Sequence, residues 1–431
     1  MRKVLWELPH WVPWLAGVLR AAGFRELEVL DLYGDCALVD DIDDAAIARR
    51  LGDADADVYL FSPMTINLPH ALRIASMVKA GNPAATTVFG GVVATPLHSE
   101  LAGRPEVDYV VRDRGEIALP ALLSALWARS GVEQVPNLSF RDAAGDAVTT
   151  PLCAPLEVSR IPFPMVDIFP PDTGLDLRYI RLNYALGCPF DCSFCTIQTI
   201  GRKPSYFPLE RVIAEAEAYR AHLGDHHHVY FGDETFTVHP GRTAALCDAL
   251  TRHGDITYDC QTRVSALRDL GVFAQLRASG CRWLELGLES ASPATQAALK
   301  QHTDLRQLES TLVAAADAGI AVCTYVIVGL PGESVDDMRR TVDWVASLID
   351  RGLLVSSYLS VFVPYPGTAM FATPQRYGMR LRHRRFELYS EELPPVLDSD
   401  TADADRVYEV YLAGLGVLSE AMTGGRVPSQ G

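Results

Sequence analysis

The sequence predicts an α/β protein. A doubly wound, N-terminal parallel sheet comes first, then a partial (β/α)6 barrel of the TIM type, then a short helical C-terminal tail. Three observations predict it. Short apolar runs alternate with helix-period segments from Lys3 to about Leu126. The same alternation resumes on a larger scale from Tyr179, in six strand–helix units. Between them lies a proline-rich stretch, Asn137 to Pro171. Domains are therefore expected at 1–135, 179–375 and 376–431, with a linker at 136–178. A chain of 431 residues agrees with roughly two to three domains.

In the first domain, Val4–Trp6 opens as a strand, and Trp14, Leu15, Val18, Leu19 and Ala22 recur at helical spacing before Gly23. Strands are expected at Leu27–Leu32, Val58–Phe61, Thr87–Phe89 and Tyr109–Val111, and helices at Asp43–Leu51, Pro69–Lys79 and Glu116–Trp127. Short apolar strands between helices argue for a parallel sheet covered on both faces, of the flavodoxin-like kind. Such sheets bind ligands outside the carboxyl ends of their strands. There the chain places Ser62 and Thr65 after one strand and the pair Gly90-Gly91 after the next. Paired glycines let a ligand approach the backbone closely.

The prolines from Pro151 to Pro171 forbid a long helix or a central strand, so the connector is expected to be extended. Barrel strands are expected at Ile180–Ala185, His228–Gly232, Thr257–Gln261, Trp283–Gly287, Val322–Val328 and Ser357–Val361. The intervening helices fall at Leu209–His222, Arg242–His253, Leu267–Ser279, Pro293–Ala318 (broken near Thr303) and Val335–Ile349. In the tail, Thr401 is expected to cap a final helix that carries Val407, Val410, Tyr411, Leu412, Leu415 and Leu418 and closes the open side of the barrel.

Chemistry in barrels belongs at the carboxyl ends of the strands. After the first barrel strand stands Gly187-Cys188-Pro189-Phe190-Asp191-Cys192-Ser193-Phe194-Cys195. Cysteines crowded on a short loop are how iron–sulfur clusters are held. Three thiolates can hold three irons of a [4Fe–4S] cluster and leave the fourth open, and an open position lets a metal site react. A structural zinc site would need a fourth ligand at close spacing, whereas Cys247 and Cys260 lie far along the chain. The run His226-His227-His228 cannot converge on one ion, because residues entering a strand alternate faces.

The cysteine run, with Phe194 before its third cysteine, resembles the signature of the radical SAM superfamily. That resemblance implies a [4Fe–4S] cluster on Cys188, Cys192 and Cys195, with the amino and carboxylate groups of S-adenosylmethionine on the open iron. It also implies reductive cleavage to a 5′-deoxyadenosyl radical, with an electron donor such as flavodoxin or ferredoxin. Gly232-Asp233-Glu234 resembles the second-strand motif that receives the amino group. Arg263, at the end of the third strand, has the fork of donors to hold the carboxylate. Leu286-Gly287-Leu288-Glu289-Ser290 resembles the fourth-strand run whose acidic residue accepts from the ribose, here Glu289. The basic residue usual about a dozen positions further on is replaced by Gln301, beside Lys300. Gly329-Leu330-Pro331-Gly332-Glu333 and Pro364-Tyr365-Pro366-Gly367 resemble two further turns at the same rim.

Residues 1–130 resemble the cobalamin-binding domain that precedes the barrel in one branch of that superfamily, which adds cobalamin as a third implied cofactor. The Asp-x-His-x-x-Gly run of other cobalamin enzymes is absent, as it generally is in this branch. The function so implied is a cobalamin-dependent radical methyltransferase of natural-product metabolism, such as antibiotic biosynthesis. The alternative is a dehydratase, lyase or mutase, for example on an aminosugar, whose N-terminal domain is vestigial.

Composition limits the partners. A formal net charge of −16 argues against general nucleic-acid or anionic-membrane binding. No apolar run is long enough for a membrane span. A small-molecule substrate and a cytoplasmic location are expected, with the nine cysteines serving as metal ligands and free thiols rather than disulfides.

Overall fold

The computed structural model describes residues 9–32, 44–169, 180–199, 201, 203–224, 228–299 and 303–424. The expected strand Val4–Trp6, the pair Lys300 and Gln301, and His226 and His227 lie outside them. The chain divides into two compact units, Trp11–Pro170 and a second made of Met1–His10 with Pro171–Gly431.

The first unit is built on five strands: β1 (Val58–Phe61), β2 (Thr86–Phe89), β3 (Tyr109–Val111), β4 (Leu138–Arg141) and β5 (Ala147–Thr149), hydrogen-bonded in that order. β1, β2 and β3 run parallel, and β4 and β5 continue antiparallel. Helices cover both faces. On one, Leu19 of the helix Trp11–Ala21 and Ala118, Leu119 and Leu122 of Gly115–Ala128 pack on Val88, Val111 and Leu138. On the other, Ile47 and Leu51 of Asp44–Ala54 pack with Val78 of Leu68–Gly81 and with Tyr59.

Two expectations change here. Leu27–Leu32 is not part of a strand among the described residues; its leucines instead pack on the flanking clusters, Leu27 on one and Leu30 and Leu32 on the other. The connector is not wholly extended either, because its first part is the hairpin β4–β5. Pro136 and Pro151 bracket that hairpin without entering it. Asp142 shapes its turn, its Oδ1 accepting the amides of Ala144 and Asp146, while Gly145 takes the positive φ of 87° that the turn requires. Phe140 pairs with Tyr109 across the strands, rings 5.6 Å apart.

The second unit starts with β6 (Ile180–Leu182) and a short antiparallel pair, β7 (Ala185–Leu186) with β8 (Ser205–Tyr206). β9 (His228–Phe231), β10 (Thr257–Arg263), β11 (Cys281–Glu289), β12 (Ala321–Val328) and β13 (Ser356–Val361) follow. They form one sheet in the order β13-β12-β11-β10-β9-β6, every pair parallel. This is the partial barrel. The first strand is shorter than expected because the chain leaves the ladder at Asn183 and pairs Ala185 and Leu186 with the returning loop. Helices Leu209–Leu223, Pro240–His253, Val272–Ala278, Leu305–Asp317 and Val335–Asp350 lie between the strands, and Pro293–Ala298 and Leu305–Asp317 are separate helices, as the expected break near Thr303 requires. Along β11 and β12 the burial alternates: Leu284, Leu286, Leu288, Val322 and Val328 are buried, whereas Glu285, Gly287 and Tyr325 face the less buried side.

The tail adds β14 (Met379–Leu381), antiparallel to β15 (Leu397–Ser399), and the helix Ala404–Gly424. Gly414 lets this helix sit close against Leu359 of β13 and Val342 of the helix before it. Its cap is not Thr401. Asp403 Oδ1 accepts the Arg406 amide at 2.8 Å, while the Thr401 hydroxyl donates to the Glu333 carbonyl. Both are capping residue types, and distance from the first helical turn decides between them. Among the described residues no helix is long and apolar enough to cross a membrane.

Candidate functional site

The cysteine loop leaves β7 through Gly187, whose φ of 90° and close approach to the Lys203 carbonyl admit no side chain. The Cys195 amide donates to the Cys192 carbonyl at 3.1 Å, which closes the turn between the last two cysteines. Ser193 pins the loop to the end of helix Pro293–Ala298: its amide donates to the Leu299 carbonyl and its hydroxyl to that of Ala298. Phe194 packs against the cluster of Leu299, Leu330, Phe362 and Met370. The aromatic residue before the third cysteine therefore anchors the loop in the core.

Burial pushes the Cys192 thiol up and the Cys195 thiol up to about 11, and each is raised further by the neighbouring cysteine sulfurs. Bare thiolates are disfavoured in such surroundings, so a cationic cluster that takes them as ligands supplies what the site lacks. Among the described residues no three His, Cys, Asp or Glu side chains converge on one point as a single ion would require. Three thiolates that each bind a different iron need not converge. The donor set fits a cluster.

The residues expected around it divide. Arg263 ends β10 with its Nη1 3.6 Å from Cys192 Sγ and its guanidinium carbon 3.9 Å from the centre of the Phe190 ring. Glu234 keeps one buried carboxylate oxygen, Oε2, with no hydrogen-bond partner. Burial raises its pKa, and the Gly187 amide and Arg181 pull it back down. Glu234 in turn raises Cys195, so this carboxylate lies beside the cysteine loop. An ammonium group would satisfy it. Glu289 is buried at a bulge where β11 leaves register with β12, and its φ of 64° is left-handed without glycine. Non-glycine residues are held so where surrounding structure over-determines them, often at functional sites. Burial and the nearby Glu391 push its carboxyl up to about 8, against Arg263.

Asp233 is turned away from this rim. Its Oδ2 accepts the Tyr184 amide at 3.2 Å and its Oδ1 the Ala185 amide at 2.5 Å. It is a buried staple that ties the end of β9 to the chain entering the cysteine loop. Gly232 lies under Arg181, whose guanidinium occupies the space a Cβ would need and donates to the Gly232 carbonyl at 3.4 Å.

Three supporting residues were not legible as such. Glu333 accepts from the Ser290 hydroxyl at 2.6 Å and from the Leu330 amide at 3.3 Å, and so holds the residue after Glu289. Gln296 donates to the carbonyls of Leu288 and Ser290 on either side of Glu289. Arg181 stacks over Tyr230 at 5.5 Å. Glu333 stands inside the Gly329-Leu330-Pro331-Gly332-Glu333 turn, but a carboxylate that braces a strand end has no signature in spacing.

In the first unit, Gly90 donates to the Phe61 carbonyl at the ends of β1 and β2, and a Cβ on Gly91 (φ 87°) would come within 2.5 Å of Ser62 Oγ. Ser62, Gly90 and Gly91 thus share one strand-end ledge, whereas Thr65 is buried beside the following helix start. Asp113, after β3, is an addition to the expected set. It has a φ of 60°, its amide donates to Thr95 Oγ1, and its buried Oδ1 has no partner. Met64 and Ile66, on either side of Thr65 in the loop after β1, are exposed. A close-approach glycine, an unanswered acceptor and exposed apolar side chains fit a bulky, amide-rimmed corrinoid.

Comparison with known proteins agrees with both halves. Residues 182–345 match the radical SAM superfamily and residues 7–123 the B12 binding domain. The anaerobic magnesium-protoporphyrin IX monomethyl ester cyclase of Rubrivivax gelatinosus is 26% identical over 94% of this chain and 73% of its own length. The hopanoid C-3 methylase of Methylococcus capsulatus is 24% identical, over 88% of this chain and 71% of its own. In fold, the chain is similar to the radical S-adenosylmethionine methyltransferase TsrM from Kitasatospora setae, solved with cobalamin and a [4Fe–4S] cluster. That likeness has a TM-score of 0.72 at 18% identity, and covers 87% of this chain and 78% of that one.

Proposed function

Because the chain is a radical SAM superfamily protein with an N-terminal B12 binding domain, we propose that it is a cobalamin-dependent radical methyltransferase acting on a small molecule of natural-product metabolism. The observation that carries this reading is the joint presence of the cysteine loop, with the unanswered Glu234 acceptor beside it, and the Ser62–Gly91 ledge. When bound, the cluster and S-adenosylmethionine supply a carbon-centred radical and the corrinoid supplies a methyl group.

The chain's own residues bind and orient. Cys188, Cys192 and Cys195 hold the cluster, and Arg263 offsets the negative charge at Cys192. Glu234 receives the ammonium of S-adenosylmethionine, and Glu289, fixed by Gln296 and by Ser290–Glu333, accepts from its ribose. The carboxylate falls to Arg263. Ser62, Gly90, Gly91 and Asp113 line the corrinoid ledge, with Thr65 supporting it from below. The reductant is a small electron carrier such as flavodoxin or ferredoxin. The reducing cytoplasm is the compartment in which such a cluster and so many free thiols persist. A radical dehydratase, lyase or mutase is the second reading, favoured by the similarity to a cyclase along nearly the whole chain.

Anaerobic reconstitution of the cluster, addition of hydroxocobalamin, desalting and a visible spectrum test the proposal. One corrinoid retained per chain, with S-adenosylhomocysteine and 5′-deoxyadenosine formed on turnover, is expected. No retained corrinoid would sink the methyltransferase. No 5′-deoxyadenosine would sink the radical enzyme as well.

A further inference from the structure

The inner face of the partial barrel carries polar groups that the cofactors leave unused. A filled barrel interior is built of branched apolar side chains. Here the alternation along the strands sends the apolar residues outward beneath the helices and leaves Arg181, Tyr230, Asp259, Glu285, Tyr325 and Tyr358 on the other side. Ladder register sets them side by side: Arg181 opposite Tyr230, Tyr230 opposite Asp259, and Tyr325 opposite Tyr358.

These groups are organised around two carboxylates. Glu285 Oε2 accepts from Tyr230 Oη at 3.0 Å and from Tyr325 Oη at 2.6 Å. Its other oxygen makes no hydrogen bond among the described residues. Asp259 is 8% exposed. Its Oδ2 is 3.0 Å from His228 Nε2, and its Oδ1 is buried with no hydrogen-bond partner among the described residues. Two acceptor oxygens on one face therefore lack protein donors among the described residues, and the one on Asp259 is buried, where an unanswered acceptor is destabilising. Beside them, the Tyr325 and Tyr358 rings stack at 5.4 Å and 18°, with Tyr358 52% exposed on a strand that is otherwise largely covered. A stacked, half-exposed tyrosine pair offers a flat apolar platform with a negative face. Glu289 and Glu391 lie near Arg263, and both guanidiniums on this side are engaged, Arg181 on Tyr230 and Arg263 on Phe190 and Cys192.

We infer that this face is a substrate subsite for a small aromatic amine: the ring lies on Tyr358, and the ammonium donates to Glu285 and Asp259. The inference rests on the barrel's being the reaction chamber proposed above, and it names the class of molecule that enters it. Glu285 and Asp259 are positioning residues, and Tyr230 and Tyr325 keep Glu285 in place. Burial and Asp259 raise the Glu285 carboxyl, while the two hydroxyls and Arg181 lower it.

Three probes that share a phenylethyl body test the class on the reconstituted, full-length holoenzyme by thermal shift and equilibrium dialysis: 2-phenylethylamine, 2-phenylethanol and 3-phenylpropionate. The amine should bind at least about tenfold more tightly than either of the others, the size of one charge-assisted hydrogen bond. Glu285→Gln and Asp259→Asn should each remove about that factor for the amine and leave the alcohol unmoved. Iron content and circular dichroism tell whether a variant is folded. If neither carboxylate variant folds, Tyr358→Leu serves, with affinity for all three probes expected to fall several-fold. Equal affinities, tighter binding of the carboxylate, no binding of the amine, or an amine preference that survives Glu285→Gln would each overturn the inference. Formation of 5′-deoxyadenosine with dithionite, measured on the same preparation without any probe, reports on the radical enzyme separately. Its absence with the amine preference intact would condemn the proposed reaction and leave the subsite standing.

Discussion

Arg263 Nη1 lies 3.6 Å from the sulfur of Cys192, with the rest of the guanidinium spread over the ring of Phe190. One side chain thus spans β10 and the cysteine loop, and it carries the positive charge that most lowers the Cys192 thiol against its burial. The loop is stabilised by packing at Phe194 and by electrostatics at Arg263, two contacts from opposite sides.

Arg263→Met should keep the stem's packing on Phe190 and lose the charge. Iron retained after chelator challenge should fall, with release faster by about tenfold or more, the scale of about 2 kcal/mol for a hydrogen bond to a charged group. Unchanged release would mean that the contact with Cys192 contributes nothing to holding the cluster.

Asp233→Ala leaves two buried amides, those of Tyr184 and Ala185, without an acceptor. The apoprotein should lose about 2–4 kcal/mol in urea unfolding. Asp233→Asn, which keeps one acceptor, should lose less. If Asp233 were instead a ligand of S-adenosylmethionine, cofactor affinity would drop while unfolding stayed put.

Glu333 sets a pH dependence. Burial lifts its carboxyl from 4.5 to about 7, the Ser290 hydroxyl and Leu330 amide only partly opposing this. The folded state therefore binds the proton more tightly than the unfolded chain. Its contribution to stability is intact below about 4.5, declines as pH rises, and is gone above about 7. Between those limits apoprotein stability should fall by a few kcal/mol, and Glu333→Gln should flatten that slope. An identical slope in the variant would show that the proton sits elsewhere.

Gly91→Ala brings a Cβ to 2.5 Å from Ser62 Oγ at a φ of 87°. A left-handed alanine costs about 1–2 kcal/mol, and the ledge must shift. Retained corrinoid should drop several-fold while iron per chain stays at its wild-type level, as read from the visible spectrum and an iron assay. Equal retention would remove the ledge from the corrinoid site.

Much was legible in the chain itself. The period of the apolar residues set the barrel strands and the three parallel strands of the first sheet, but not its hairpin β4–β5. β1 and β3 fall on the expected residues, and the six barrel strands fall within a few of theirs, because each alternates one buried face with one less buried one. The three cysteines, Arg263 and Glu289 stand at strand ends because motif order and strand order coincide. Other features depended on partners distant in sequence. Nothing local distinguishes Asp233, which braces the chain, from Glu234, whose carboxylate oxygen awaits a donor; only the amides of Tyr184 and Ala185, some fifty residues earlier, separate them. Likewise Leu138–Arg141 reads as connector until Tyr109 lies beside it. Local pattern determines which segments are strands and where reactive residue types stand, because side-chain period and turn chemistry act over a few residues. Which carboxylate oxygen finds a donor within the fold and which does not was decided by tertiary structure alone, because hydrogen-bond satisfaction depends on who is near in space.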